Sequence, residues 1–272
     1  MKHVLTIIFS VVSGIYTAYC TNDNYPFGGR AAGMGNAAVT LYDPWAVSHN
    51  QAGLAQMENS AAGVYFENRF LVQELSLGAG AFILPTHSGV FGASFTYFGF
   101  ELYNESKVGL AYARGFGERF SAGIQLNYHN TYIVEDYGNK GALTVEMGAI
   151  YHIVKGLSIG AHIFNPTRAK IAEFADERIP TIFRTGLSYE FSQKVMVVVE
   201  TEKSINHDPV FKFGIEYHIT EPFYIRGGIG TNPTSNSFGF GLELGKLKVD
   251  LASSFHHVLG YSPQVSFLYE MR

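Results

Sequence analysis

Histidines at 129, 152, 162, 218 and 256 fall at the same phase of an alternating pattern, each in its own segment. Imidazole is the commonest metal ligand, so five on one face would make a metal centre if they converged. Metal sites draw their ligands from close spacings, and these residues sit in separate segments with no close ligand spacing. They read as solvated side chains, and no metal is expected. Asp43 and His49 lie in an Ala-rich stretch without a nucleophile beside them. In Ser253-Ser254-Phe255-His256-His257, Ser254 and His256 share a face, but no acid can be assigned to complete a triad. Gly33-Met34-Gly35 resembles part of a phosphate-cradling loop, but the strand that must precede such a loop is missing. No catalytic residue and no cofactor are expected.

The elements that would position these residues are set by composition. Of 272 residues, 15% are charged and 47% hydrophobic, with 30 Gly, 22 Phe and 17 Tyr. A soluble domain carries about 25% charged residues, and glycine and aromatics are poor helix formers, the aromatics favouring strands. A formal net charge of −4 offers no basic stripe for phosphates, so no nucleic-acid partner is expected. One cysteine excludes an internal disulfide scaffold.

From residue 60 onward apolar and polar residues alternate with period two, the mark of strands with two unlike faces. Phe211, Phe213, Ile215, Tyr217 and Ile219 oppose Lys212, Gly214, Glu216 and His218. Fourteen such segments can be counted, each about as long as the 9–11 residues a tilted strand needs to cross a bilayer. Connections after even-numbered segments are short, such as Ser192-Gln193 and Gly245-Lys246. The long ones, Thr131–Gly141 and Pro166–Pro180, follow odd-numbered segments. Loop lengths sorted by parity are a property of outer-membrane barrels. The expectation is all-β: a 14-stranded antiparallel transmembrane β-barrel with a short N-terminal helical plug and both termini in the periplasm.

Fourteen strands enclose a lumen too wide for the aromatic face to fill, so that face meets lipid. Tyr97, Tyr128, Tyr151, Tyr189, Tyr217 and Tyr269 near strand ends suit interfacial girdles. The inward face then carries acids (Glu67, Glu105, Glu146, Glu190, Glu200, Glu202, Glu216, Glu243, Asp250, Glu270) and bases (Arg69, Lys107, Arg119, Arg184, Lys194, Lys212, Arg226, Lys248, Arg272) in near balance. Balance argues against a strongly ion-selective pore and for a lumen laced by ion pairs, foremost Arg69, Glu146, Arg184, Lys212, Glu216, Arg226 and Glu243. Inward apolar residues are expected to be few: Phe82, Leu84, Phe98, Ile150, Phe164 and Leu268. That scarcity weighs against a greasy tunnel.

Residues 1–20 read as a signal peptide. Lys2 and His3 are followed by an uncharged stretch, Val4–Tyr16, too short to span a membrane, and Ala18-Tyr19-Cys20 forms a cleavage site. No later segment has the length of apolar run that a spanning helix requires. Residues 21–59 form the N-terminal segment and 60–272 the barrel. The segment does not alternate and is rich in Ala and Gly, so it can lie close against a wall presenting Gly78, Gly80, Gly92, Gly109, Gly123, Gly148, Gly160, Gly186, Gly214, Gly239 and Gly241. Arg30 and Asp43 would then need partners, because unpaired charge taken out of water is costly. Trp45 should pack inside the barrel. Asn50 should tie the end of the segment to backbone before the first strand. The loop Pro166–Pro180, with Ile171 and Phe174 on one face of a helical turn, is read as solvated, with partner docking as the alternative.

Gly29-Arg30-Ala31-Ala32-Gly33-Met34-Gly35-Asn36-Ala37, Asp43-Pro44 and Asn50-Gln51-Ala52-Gly53-Leu54-Ala55 resemble the opening of the FadL-like barrels. Within them they look most like the PorV/PorQ group associated with type IX secretion in Bacteroidetes, as does the stretch Asn165-Pro166-Thr167 with Arg178–Tyr189. Gln51 replaces the usual proline, which should loosen that turn, and the chain does not end on an aromatic residue. The resemblance implies a motif of Arg30, Gly33, Met34, Gly35, Asp43, Asn50 and Gly53 at the plug, to which the reading of the segment adds Trp45. It further implies a non-catalytic Gram-negative outer-membrane protein, embedded in outer-membrane lipid, with secretion-machinery proteins as partners in secretion or surface assembly. The alternative is a FadL-like passive channel for small hydrophobic solutes.

Overall fold

The computed structural model describes residues 24, 26–134, 138–170, 178–205 and 207–271. Fourteen strands run β1 Ser60–Asn68, β2 Ser76–Thr86, β3 Gly89–Gly99, β4 Tyr103–Phe116, β5 Phe120–Ile133, β6 Gly138–Val154 and β7 Leu157–Phe164. They continue as β8 Ile182–Ser192, β9 Val195–Ser204, β10 Val210–Thr220, β11 Phe223–Gly230, β12 Ser235–Leu244, β13 Leu247–His256 and β14 Gly260–Met271. Each pairs antiparallel with its sequence neighbours, and β1 pairs with β14 from Ser60↔Met271 to Glu67↔Gln264, which closes the ring. Ahead of β1 stand two short helices, α1 (Gly29–Gly33) and α2 (Ala46–His49), and a 3-10 turn over Gln51–Gln56.

The parity of the connections holds in outline. Tight turns follow the even strands, with Gly156 (φ 84°) and Gly245 (φ 65°) supplying the left-handed backbone that two of them need. Thr131–Gly141, expected as a loop, is mostly strand: β5 runs to Ile133 and β6 begins at Gly138. Alternation continues through both, so no turn signal ends the ladder early. Ile171 and Phe174 lie outside the described residues.

The barrel is apolar outside and polar inside. Phe95, Leu110, Leu126, Phe183 and Phe238 are about half exposed, whereas Glu146, Glu200 and Glu216 are buried in the interior. Among the described residues no helix is long and apolar enough to cross a membrane. An apolar belt around a closed ladder is the arrangement that lipid, not water, favours.

Three expectations about facing are corrected. In β2, Phe82 and Leu84 are 43% and 44% exposed and point outward, and Leu77, Ala79, Ala81 and Ile83 point in. Both faces of this strand are small or apolar, so alternation carries no polar mark to fix its phase. Gly78 and Gly80 therefore face outward, where a side chain at Gly78 would meet nothing within 4 Å. Arg119 and Lys194 sit exposed in short turns rather than on the inner wall, and Arg272 lies outside the described residues.

Candidate functional site

Residues 26–54 lie inside the ring, buried or half-buried, and 55–59 lead out to the start of β1 at the short-turn end. Nine wall glycines line their path: Gly63, Gly92, Gly123, Gly148, Gly160, Gly186, Gly214, Gly228 and Gly239, at each of which a Cβ would fall within 3.0 Å of the segment. At Gly228 it would overlap the backbone of Met34 and Gly35, and at Gly148 the side chain of Asn50. Gly63 and Gly228 were not read from the sequence as part of this track, whereas Gly109 and Gly241, expected on it, lie under wall side chains, Asn127 and Ser94 at the first and Arg226 and Asp250 at the second. Gly33 rests on Gly239 of β12, and Gly53 of the 3-10 turn fits under Leu41 and Ala46.

The segment is held by carboxylates of the wall. Glu216 on β10 accepts from Nε and Nη2 of Arg30 at 2.9 and 2.8 Å. Arg30 also pairs with Asp43 at 3.3 Å. Burial works against the Arg30 charge, but Glu216 and Asp43 outweigh it and raise the pKa above the ordinary guanidinium value. Glu200 on β9 accepts the backbone N–H groups of Ala38 and Val39, each at 2.8 Å. Glu146 on β6 accepts from Nε2 of Gln51 at 2.8 Å, from Asn127 at 2.9 Å and lies 3.0 Å from His162. Gln51, expected to loosen its turn, thus carries a bond that proline could not make. Asn50 ties the segment not to the approach of β1 but to the far wall, donating to the carbonyls of Ala149 on β6 and Ala161 on β7, and also to that of Val39 within the segment. Tyr42 hydrogen-bonds Ser158 at 2.8 Å.

Polar chambers flank the segment. One of about 480 Å³ on the long-loop side is lined by Asn24, Arg69, Arg184, Glu202 and Lys212. There Arg184 and Lys212 share Glu202 at 2.7 and 2.8 Å, and Arg69 pairs with Glu67 at 3.3 Å. Asn24 accepts from Lys107 at 2.7 Å; the described start of the segment therefore lies in this half, not at the short-turn mouth where the periplasmic end was expected. The other chamber, about 310 Å³, holds Arg30, Glu216, Arg226, Glu243 and Lys248. In it Arg226 bridges Glu216 and Asp250, both at 2.6 Å, and Glu243 accepts from Tyr224 at 2.7 Å.

A different arc of the lumen is apolar. Phe98, Leu77 and Tyr65 near the long-loop end run through Ala79, Ala81 and Leu268 to Ile83, Val90 and Ala113 near the short turns, in one continuous buried cluster. Phe27, Trp45, Val47 and Leu54 of the segment fill it. Trp45 is 2% exposed and stands edge-on to Phe27 with ring centroids 5.9 Å apart. The sequence missed this lane because the phase of β2 was read the other way and because Ala and Gly positions carry no apolar signal of their own. Met34 packs in a second small cluster with Ala31, Ala38, Leu41 and Val198.

The histidines do not converge. Among the described residues no group of three or more His, Cys, Asp or Glu side chains could hold one ion. His256 accepts the N–H groups of Val258 and Leu259 in the β13–β14 turn. His152 bonds Ser158 at 2.9 Å at the short-turn end.

No family model matches the chain, and no curated protein does. Solved structures share the fold. The CymD monoaromatic hydrocarbon channel aligns with TM-score 0.70 at 14% identity, over 90% of this chain and 98% of that one. The Ralstonia pickettii toluene transporter TbuX aligns with TM-score 0.66 at 13% identity, over 90% and 98%. A Pseudomonas aeruginosa FadL homologue aligns with TM-score 0.62 at 12% identity, over 90% and 97%. The fold is that of the FadL-type outer-membrane barrels: fourteen antiparallel strands closed around an N-terminal segment.

Proposed function

We propose that this protein is a non-catalytic outer-membrane channel of Gram-negative type that passes small apolar solutes by diffusion past its internal plug. The observation that carries the reading is the continuous apolar lane of β1–β4. Such a lane gives an uncharged solute a route through an interior otherwise lined by ion pairs, where desolvated charge would offer it nothing. The structures that share the fold, a monoaromatic hydrocarbon channel and a toluene transporter, favour the same reading. In this orientation the short turns face the periplasm and the long connections the outside. Protease access to Gly245-Lys246 on intact cells would reverse that orientation.

The test is uptake of toluene into proteoliposomes. Ala79→Phe narrows the lane without touching a charge and should lower uptake at least several-fold, while Ser237→Ala on the polar wall should leave it unchanged. Equal uptake by empty vesicles and loaded ones would defeat the reading.

A role in secretion or surface assembly of the PorV/PorQ kind is the second reading, resting on the Arg30–Ala37 and Asn50–Ala55 motifs. Recovery of secretion-machinery proteins with the chain from native membranes would favour it.

A further inference from the structure

The chamber on the long-loop side carries three buried polar atoms that have no hydrogen-bond partner among the described residues. Its rim is open, lined by exposed His207, Asp208, Thr231 and Asn232, and its deepest lining residues are Asn24 and Arg184, 3% and 5% exposed. Oδ1 of Asn24 accepts from Lys107 of β4, yet Nδ2 has no acceptor. Lys107 fixes which way that amide points, because an ammonium can only donate. Nε of Arg184 on β8 donates to Glu202, yet Nη1 has no acceptor. Ser204, the last residue of β9, lines the same chamber with its Oγ unpartnered. A buried donor left unpaired costs about 1–3 kcal/mol, and each one in a native structure calls for an explanation.

We propose that this chamber binds a tetrahedral oxyanion, a phosphate or sulfate group, taken from the solution at the long-loop face. The lining charges agree with an anion. Arg69, Arg184 and Lys212 stand against Glu202 and Asp208, and Glu202 is covered by Arg184 at 2.7 Å and by Lys212 at 2.8 Å. Water can accept from a lone donor but brings no charge to balance that excess. The three unpartnered groups come from three segments, the stretch before α1, β8 and the end of β9. They therefore surround a ligand rather than meet it from one plane. A carboxylate accepts close to its own plane, whereas four oxygens about phosphorus or sulfur accept from several sides. A water molecule's share of the liquid is about 30 Å³, so a chamber of about 480 Å³ has room for the ion and a small organic group attached to it. The closed ladder bars a lipid headgroup from entering at the side, which leaves a dissolved ion or its ester as the source. The site does not depend on the channel reading, since none of Asn24, Arg184 and Ser204 belongs to the apolar cluster.

Asn24→Asp tests the site with the least disturbance. It keeps the oxygen that Lys107 holds and puts a second anionic oxygen where the free donor was. Binding of inorganic phosphate to the purified full chain in nonionic detergent, followed by titration calorimetry, should weaken about tenfold or more, the worth of one hydrogen bond to a charged group. Arg184→Lys keeps a cation beside Glu202 but removes Nη1, and should weaken binding by a similar factor. Lys248→Gln takes a cation from the other chamber and should leave binding unchanged. Absence of phosphate binding by the native chain, native-strength binding by Asn24→Asp, or an equal loss in Lys248→Gln would overturn the proposal. So would acetate binding as tightly as phosphate. Glucose 6-phosphate separates the two sources: tighter binding than phosphate points to an ester, weaker binding to the free ion, and either supports the site. If Asn24→Asp does not reach the folded form on unheated gels, Ser204→Asp sets the same opposing charge on the wall at β9. Native-strength phosphate binding by that variant overturns the proposal.

Discussion

Arg30 and Glu216 form a two-bond pair across 186 residues of sequence, with Nε and Nη2 of the plug side chain on the two oxygens of the wall carboxylate. Glu216 is 2% exposed and also accepts from Arg226. One wall acid therefore serves a plug cation and a neighbouring strand cation together. Glu216→Gln should cost about 3–5 kcal/mol, the range for breaking a buried pair by removing one partner. The loss should appear as a lower urea midpoint for release of the plug and as raised single-channel conductance.

Close approach makes a second contrast. Gly228→Ala places a methyl into the backbone of Met34 and Gly35, whereas Gly78→Ala meets nothing within 4 Å. The first should expose the plug to limited proteolysis and the second should match the native protein. Both barrels should migrate as folded species on unheated gels.

His49 gives the plug a pH dependence. Burial first, then the Arg184 charge, lowers its pKa from 6.5 to about 3. The unfolded segment takes a proton near pH 6.5 and the docked one does not until about pH 3. Docking is thus strongest above pH 6.5 and weakens by about 1.4 kcal/mol per unit as the pH falls between those values. Conductance should rise as the pH is lowered from 7 to 4.5, and His49→Leu should flatten that rise. An unchanged profile in the variant would assign the rise to the carboxylates.

Trp45 is the only tryptophan and is buried, so its emission reports the plug directly and should be blue-shifted. Trp45→Ala removes the largest side chain from the apolar lane. It should cost about 3–5 kcal/mol of packing and speed toluene uptake. Slower uptake would mean that the indole guides the solute rather than blocking it.

The strands were legible because lipid on one side and a polar lumen on the other impose a strict period of two; Phe211–Ile219 could be read in either direction without ambiguity. Ser76–Thr86 could not, because the plug covers its inner face and replaces water with Trp45 and Phe27, erasing the polar mark. The burial of Trp45 and the need of Arg30 and Asp43 for partners were legible from the lone indole and from the cost of unpaired charge; that the two pair with each other was not. The partners of Asn50 and Gln51 were not. They lie on β6 and β7, and no local pattern records a contact that depends on where a ring closes.

Ring closure also constrains how the molecule is built. Ser60 meets Met271 at the seam, the pairing with the longest chain between its ends and so the largest loop to close. The plug precedes β1 directly, and Gly29 donates to Ser266 of β14, beside that seam. A hydrogen-bonded ring has no side entrance, so the plug is either enclosed as the final strand arrives or drawn in through an open end afterwards. In the first case the last strand to be synthesised completes the berth of the first segment. Closing the seam and seating the plug are then a single event.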